Sequence, residues 1–156
     1  MSKDPQRVAI DTSLKIFIAL SRVHHRLMDI SNRSAQSYGL NPTEFAVLEI
    51  LYHKGTLALQ QIGDKILITS GSITYVVDKL EKKKLVKRNP CKEDRRVIYA
   101  ELTDAGKQLM DDIFPSHELL LHESLTMLNS EEKDQLLTLL KKVGKHQAIE
   151  REDESL

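Results

Sequence analysis

The residues with the most chemical content in this chain are cations, and they are crowded. Lys79, Lys82, Lys83, Lys84, Lys87, Arg88, Lys92, Arg95 and Arg96 fall within residues 79–96 beside only three acids, so that segment carries +6. The residues before it carry +1 and those after it −7, which leaves the chain neutral as a whole. A basic segment inside a neutral chain is the electrostatic footprint of a polyanion site. Short polar side chains (Ser70, Ser72, Thr74) and Tyr75 lead directly into it. Signals for catalysis are thin. There is no phosphate-binding glycine loop, no Gly-x-Ser-x-Gly elbow and no His-Glu-x-x-His pair. Asp111-Asp112 and Glu131-Glu132 read as solvated carboxylates on helices. An enzyme is not expected, and neither is a cofactor.

The elements that must position these residues are mostly helical. Ile10, Leu14, Phe17, Leu20, Val23, Leu27 and Ile30 recur at steps of three and four, which predicts a long amphipathic helix over 10–30. Gly39 and Pro42 mark a turn, with Pro42 suited to a first helical position. Phe45, Leu48, Leu51 and Tyr52 mark a second helix, and residues 58–66 a short third one with Leu59, Ile62 and Ile66 inward. Thr69 or Ser70 can cap a fourth helix, whose Ile73, Val76, Val77 and Leu80 form an inward set. Its other face offers Ser70, Ser72, Thr74, Tyr75, Asp78, Lys79 and Lys82. The period then changes. Residues 85–88 and 97–102 read as two strands, with Asn89-Pro90 and the polar run 92–96 between them. Thr103 or Asp104 can cap a fifth helix, which Pro115 should end or kink. Ser130 opens a last one bearing Leu136, Leu137, Leu140 and Val143.

Helix, short helix, helix and hairpin in this order form a winged helix-turn-helix. A helix of that kind can enter the major groove, with short side chains allowing close approach. A basic hairpin beside it can reach the backbone or the minor groove, where arginine fits best. A winged-helix module that docks on another protein is the alternative. Arg88, Lys92, Arg95 and Arg96 with few apolar neighbours suit phosphate better than a protein hot spot, which favours buried aromatics.

The stretch from Gly39 to Gly106 closely resembles the MarR family of dimeric winged-helix regulators. The resemblance lies in Gly39-Leu40-Asn41-Pro42-Thr43-Glu44-Phe45-Ala46-Val47-Leu48, in Ile73 to Leu80 followed by Glu81-Lys82-Lys83-Lys84-Leu85-Val86-Lys87-Arg88, and in Asp94-Arg95-Arg96 with Leu102-Thr103 and Gly106. Residues 68–80 look most like members that respond to quinones or related electrophiles. The resemblance implies a mainly α fold, one domain over 1–156. Dimerisation helices would occupy about 8–38 and 104–149, and a winged lobe about 40–103. It implies a homodimer on a palindromic operator in double-stranded DNA, most simply a repressor. Residues 69–83 would be the recognition helix. Ser70, Ser72, Thr74, Tyr75 and Lys79 would face bases or phosphates, and Lys82 and Lys92 the backbone. Arg96 would enter the minor groove braced by Asp94, and Arg95 would meet phosphate. Lys84 stands where members of the family often have the glycine of a left-handed helix cap. The apolar run Leu119-Leu120-Leu121, with Leu125, Met127 and Leu128, independently suits a dimer interface.

Three signals are considered for such a regulator. Cys91 lies between Arg88 and Lys92, whose charges would favour its thiolate and hence oxidation or quinone addition. A small phenolic or quinone-type effector could bind between the dimerisation helices and the lobe, where Phe17, His24, Met28, Phe45 and Tyr52 are candidates by resemblance. Metal response is the third and least supported, so no metal site is expected. His24-His25 diverge on a helix, His117 and His122 are five apart, and Phe45 replaces the histidine of zinc-sensing relatives. A lone cysteine excludes an intrachain disulfide and suits a reducing compartment. No apolar run approaches a membrane span, and the first ten residues lack a signal-peptide pattern. The chain therefore reads as cytoplasmic.

Overall fold

The computed structural model describes residues 5–66 and 70–153. They fall into two compact units that divide after Leu121. In chain order the elements are α1 (Pro5–Ser37), α2 (Pro42–Lys54), β1 (Leu57–Ala58), α3 (Leu59–Ile66), α4 (Ser70–Lys82), β2 (Val86–Pro90), β3 (Ile98–Leu102), α5 (Asp104–Glu123) and α6 (Ser130–Asp153). The small antiparallel sheet has the order β1-β3-β2. Leu57 pairs with Ala100, and Val86 with Leu102. This is a mainly α, winged helix-turn-helix fold. The core of the first unit joins Phe45, Val47, Leu48 and Leu51 of α2, Ile62 of α3, Ile73, Val76, Val77 and Leu80 of α4, Val86 and Ala100 of the sheet, and Met110 and Ile113 of α5. Among the described residues no helix is long and apolar enough to cross a membrane.

The punctuation follows from local chemistry. Helix α1 closes with Gly39 at φ 73°, where the Gly39 N–H donates to Gln36 O and the Leu40 N–H to Ala35 O. These are the two bonds of a Schellman cap, and the buried Ala35 and Leu40 sit at its two apolar positions. Helix α2 opens with a capping box. Asn41 Oδ1 accepts from the Glu44 N–H at 2.8 Å, and Glu44 Oε2 accepts from the Asn41 N–H at 3.0 Å. Asn129 and Glu132 repeat that box before α6. Thr103 caps α5: its Oγ1 accepts from the Gly106 N–H at 3.0 Å and donates to Lys84 O at 2.6 Å.

Three expectations need correction. Pro115 does not end α5, which continues to Glu123. Pro115 and Asp111 are both exposed, so the Asp111 carbonyl deprived of its N–H partner lies on the solvent side. Asn89-Pro90 belongs to β2 rather than to the turn, since proline is tolerated on an edge strand. The two-residue β1 precedes α3, which therefore starts at Leu59. The apolar stripe on α1 is exposed over its first half, with Ile10 63% exposed and Phe17 66%. Of the two caps considered for α4, Thr69 lies outside the described residues, and Ser70 is the first residue of the helix.

Lys84 adopts φ 61°, the left-handed region. Its N–H donates to Glu81 O and the Leu85 N–H to Leu80 O, so a lysine occupies the glycine position of a Schellman cap. A side chain held there costs roughly 1 kcal/mol. Lys84→Gly is therefore expected to raise stability by about 0.5–1 kcal/mol, read from the urea unfolding midpoint. A lower midpoint would mean that the lysine side chain contributes more than its backbone strain removes.

Candidate nucleic-acid interface

Helix α4 turns Ile73, Val76, Val77 and Leu80 into the core and leaves the opposite side outward. Ser72, Tyr75, Lys79 and Lys82 follow one another at three, four and three residues and so share a stripe. Tyr75 is 60% exposed, with Lys79 Nζ 4.7 Å from its ring centroid. That cation–π contact holds two long side chains together on the surface. Thr74 is exposed on the flank toward the wing. The side chain of Ser70 lies outside what the structure describes. Beside the start of α4, an open groove of about 490 Å³ is lined by Asn41, Pro42, Thr43, Gly71, Ser72, Tyr75 and Val76.

The wing is the β2–β3 hairpin with its loop at 91–97. The Cys91 N–H donates to Val97 O and the Val97 N–H to Asp94 O, which closes the loop. Lys92 and Arg95 are exposed there. The Arg96 side chain is 90% exposed yet has a fixed orientation. Its Nε donates to Asp94 Oδ1 and its NH2 nitrogen to Asp94 Oδ2, both at 3.0 Å, and its backbone N–H also donates to Oδ1. These bonds hold the Asp94 carboxyl below the usual carboxylate range. The guanidinium is thus presented as a flat, oriented fork at the hairpin tip.

At the root of the wing, Arg88 is turned inward. It pairs with Asp78, lies 3.6 Å from Glu81, and donates to Thr74 O at 3.0 Å. Arg88 therefore ties β2 to α4 and is not presented to phosphate as the sequence suggested. Across the sheet, Glu101 of the central strand β3 accepts from Lys87, Asn89 and Thr56, each at 2.9 Å. Those donors, Lys87 foremost, pull its carboxyl down to about 2. A carboxyl lowered on folding stabilises fully above its ordinary value of 4.5, and that contribution disappears as the pH falls toward about 2. Glu101→Gln is accordingly expected to flatten the fall in melting temperature across that interval. An unchanged slope would show that other carboxylates govern acid unfolding.

Comparison with known proteins decides the family. The MarR family model matches residues 40–98. The chain is 53% identical over 134 residues to the HTH-type transcriptional regulator MhqR of Bacillus subtilis (strain 168), covering 86% of this chain and 92% of that protein. The chain belongs to the MarR family. MarR proteins are transcriptional regulators, not enzymes. Solved structures agree: the transcriptional regulator PA4135 superposes with TM-score 0.75 at 26% identity, covering 83% of this chain and 95% of that one. NadR in complex with 4-hydroxyphenylacetate superposes with TM-score 0.73 at 25% identity, covering 83% and 92%.

In this MarR chain the residues considered for an effector differ in their burial. Phe17, His24 and Met28 are exposed on α1. Phe45 is core: its ring lies 4.7 Å from that of His117, because an aromatic side chain facing into α2–α5 is filled against its neighbours. Tyr52 is half-buried, packs 5.5 Å from Phe114, and donates to Asp111 at 2.7 Å. That bond and burial raise its phenol above the ordinary value. Cys91 is half-buried, and Arg88, one of the two cations that flank it in sequence, is directed at Asp78. Among the described residues no three His, Cys, Asp or Glu cluster as a metal site.

Two groups were missed in the sequence. His117 is 3% exposed, and its Nδ1 has no hydrogen-bond partner. Its place one turn after Ile113 on the inner side of α5 was the available signal. Glu44 is 3% exposed and pairs with Lys83 at 2.8 Å across 39 residues of sequence. The Asn41/Glu44 spacing revealed the cap but not this partner.

Proposed function

We propose that this transcriptional regulator binds palindromic double-stranded DNA as a homodimer, represses by occupying an operator, and is released by a small phenolic or quinone-type effector. The observation that carries the DNA reading is the pairing, in one lobe, of an outward Ser72–Tyr75–Lys79–Lys82 stripe with an exposed, carboxylate-oriented Arg96. A helix so equipped suits the major groove and the arginine suits the adjacent minor groove. Lys92 and Arg95 then serve the backbone. Support for a dimer comes from apolar surface left open on the long helices: Ile10, Leu14 and Phe17 on α1, and Leu137, Leu139 and Val143 on α6. A two-fold dimer sets its half-sites about one helical turn, ~34 Å, apart. Such a protein acts in the cytoplasm, where its DNA is.

Support for an aromatic effector is of two kinds. NadR, a structural neighbour, is seen with 4-hydroxyphenylacetate. Within this chain, His117 holds an unpartnered buried nitrogen among the rings of Phe45 and Phe114. A phenolic or quinone oxygen reaching that cluster would satisfy it. The chain's 53% identity to the HTH-type transcriptional regulator MhqR supports a role in transcriptional regulation. Thiol modification at Cys91 is the other route to release.

The test is fluorescence anisotropy on a duplex from upstream of the protein's own gene, with and without a benzoquinone. Specific binding that falls steeply with salt and is reversed by the quinone is expected. Binding that ignores the quinone would remove the effector, and a flat salt response would favour a protein partner.

A further inference from the structure

Three helix ends meet at one ammonium group. Lys83 follows the last residue of α4, and its Nζ donates to Glu44 Oε2 at 2.8 Å and to Gly39 O at 3.1 Å. Gly39 closes α1, and Glu44 stands in the first turn of α2. The Glu44 side chain is 4% exposed, while that of Lys83 is 41% exposed. Burial alone would raise the Glu44 carboxyl, but Lys83, the Asn41 N–H and the charge of Lys79 outweigh it and leave the carboxyl below its ordinary value. The carboxylate is thus ionised and needs its partner, because an unpaired buried charge is costly. The Gly39 carbonyl, in the turn just past α1, gives the same ammonium a second acceptor. On the opposite flank, Arg88 grips Asp78 and Glu81. Helix α4 is therefore clamped on both sides by ion pairs that leave its outward stripe unobstructed.

We propose that Glu44 and Lys83 are positioning residues that lock the C-terminal end of α4 to the α1–α2 turn and so set the angle at which its stripe meets DNA. This rests on the DNA-binding reading above. Lys83 belongs to the basic segment by sequence, but its charge is spent on Glu44 and Gly39 rather than presented to phosphate. Well-packed apolar replacements of a buried pair are often neutral for stability. What they lack is a directional bond, and direction is what a recognition helix requires.

The experiment compares wild type, Glu44→Gln, Lys83→Met, the double variant and Lys83→Arg on two duplexes: one from upstream of the gene and a scrambled sequence of equal length. Melting curves confirm that each protein is folded at the assay temperature. Glu44→Gln keeps the α2 cap, since glutamine also serves in a capping box, so it carries the comparison even if Lys83→Met unfolds. Each single variant is expected to bind the specific duplex about tenfold more weakly. The double variant should be no weaker than either single, and Lys83→Arg should recover most of the loss. Glu44→Gln should leave affinity for the scrambled duplex unchanged or higher. Folded variants that bind both duplexes like wild type would overturn the proposal. So would tighter specific binding by Glu44→Gln combined with equal losses on both duplexes for Lys83→Met, because Lys83 would then be a phosphate contact. Wild type that does not distinguish the duplexes would overturn the DNA-binding reading and this proposal with it.

Discussion

Gly106→Ala is expected to lower the stability of the chain by roughly 3 kcal/mol, the upper range for overpacking, and to disturb the wing as well. A Cβ built on Gly106 would stand 2.0 Å from Leu85 O and 2.9 Å from Leu85 C. Both are backbone atoms, so no side-chain rotation relieves the clash. The peptide they belong to is also heavily engaged. Leu85 O accepts from the Thr103 N–H at 3.0 Å, and the Leu85 N–H closes the α4 cap on Leu80 O. Lys84 O accepts from Thr103 Oγ1, the same oxygen that accepts from the Gly106 N–H. The start of α5 therefore rests directly on the link between α4 and β2, and moving that link by an ångström breaks several of these bonds at once. Gly71→Ala is the matched control. Nothing lies within 4 Å of its Cβ position, and its effect should stay below about 1 kcal/mol. Chemical unfolding of the two variants checks the contrast. A Gly106→Ala protein as stable as wild type would mean that the α4–β2 link shifts freely, and the wing would then be a loosely held element.

What the sequence disclosed and what it concealed follow from the range of the interactions. Ile73, Val76, Val77 and Leu80 all proved buried because a helical period repeats within a few residues and leaves a local record. Thr103 and Pro42 could likewise be assigned as helix-start residues, and Asp94 and Arg96, two residues apart, face each other as adjacent loop residues can. Strand β1 escaped because two residues carry no period, and it exists only through pairing with β3 more than forty residues later. Pro115 was read as ending or kinking α5, and the helix continues past it because the proline lies on the exposed side, a tertiary fact. Charge was the least legible feature. Nine cations between 79 and 96 form one run in sequence. The fold sorts them, turning Lys83 toward Glu44, Lys87 toward Glu101 and Arg88 toward Asp78, and leaving Lys82, Lys92, Arg95 and Arg96 outward. The net basicity was readable, whereas the division between structural and presented cations needed the partners' positions. The same holds for the effector residues, since the exposure of Phe17 and the burial of Phe45 depend on how α1 and α2 pack.

Among the presented cations, Arg96 is expected to matter most for DNA. Arg96→Ala should weaken specific binding by about a hundredfold while leaving the melting temperature and the dimer unchanged. The stability half of that expectation follows from exposure. A pair whose arginine is 90% exposed contributes little to folding. The binding half follows from geometry. A good oriented contact is worth roughly 1–3 kcal/mol, and a two-fold dimer loses two of them. Asp94 sharpens the test, because it holds the fork in place through two bonds of 3.0 Å. Asp94→Ala removes a negative charge from the wing, so electrostatics alone predicts tighter binding. Orientation predicts weaker binding to the specific duplex, with a loss smaller than that of Arg96→Ala. Arg96→Lys keeps the charge but not the planar fork, and should resemble alanine more than wild type on the specific duplex. Arg95→Ala should weaken specific and scrambled duplexes alike, as loss of a phosphate contact does. Anisotropy titrations of these four variants at one salt concentration separate the roles. Full operator affinity in Arg96→Ala would remove the wing tip from the interface. Tighter binding by Asp94→Ala would reduce Arg96 to a charge whose direction is immaterial.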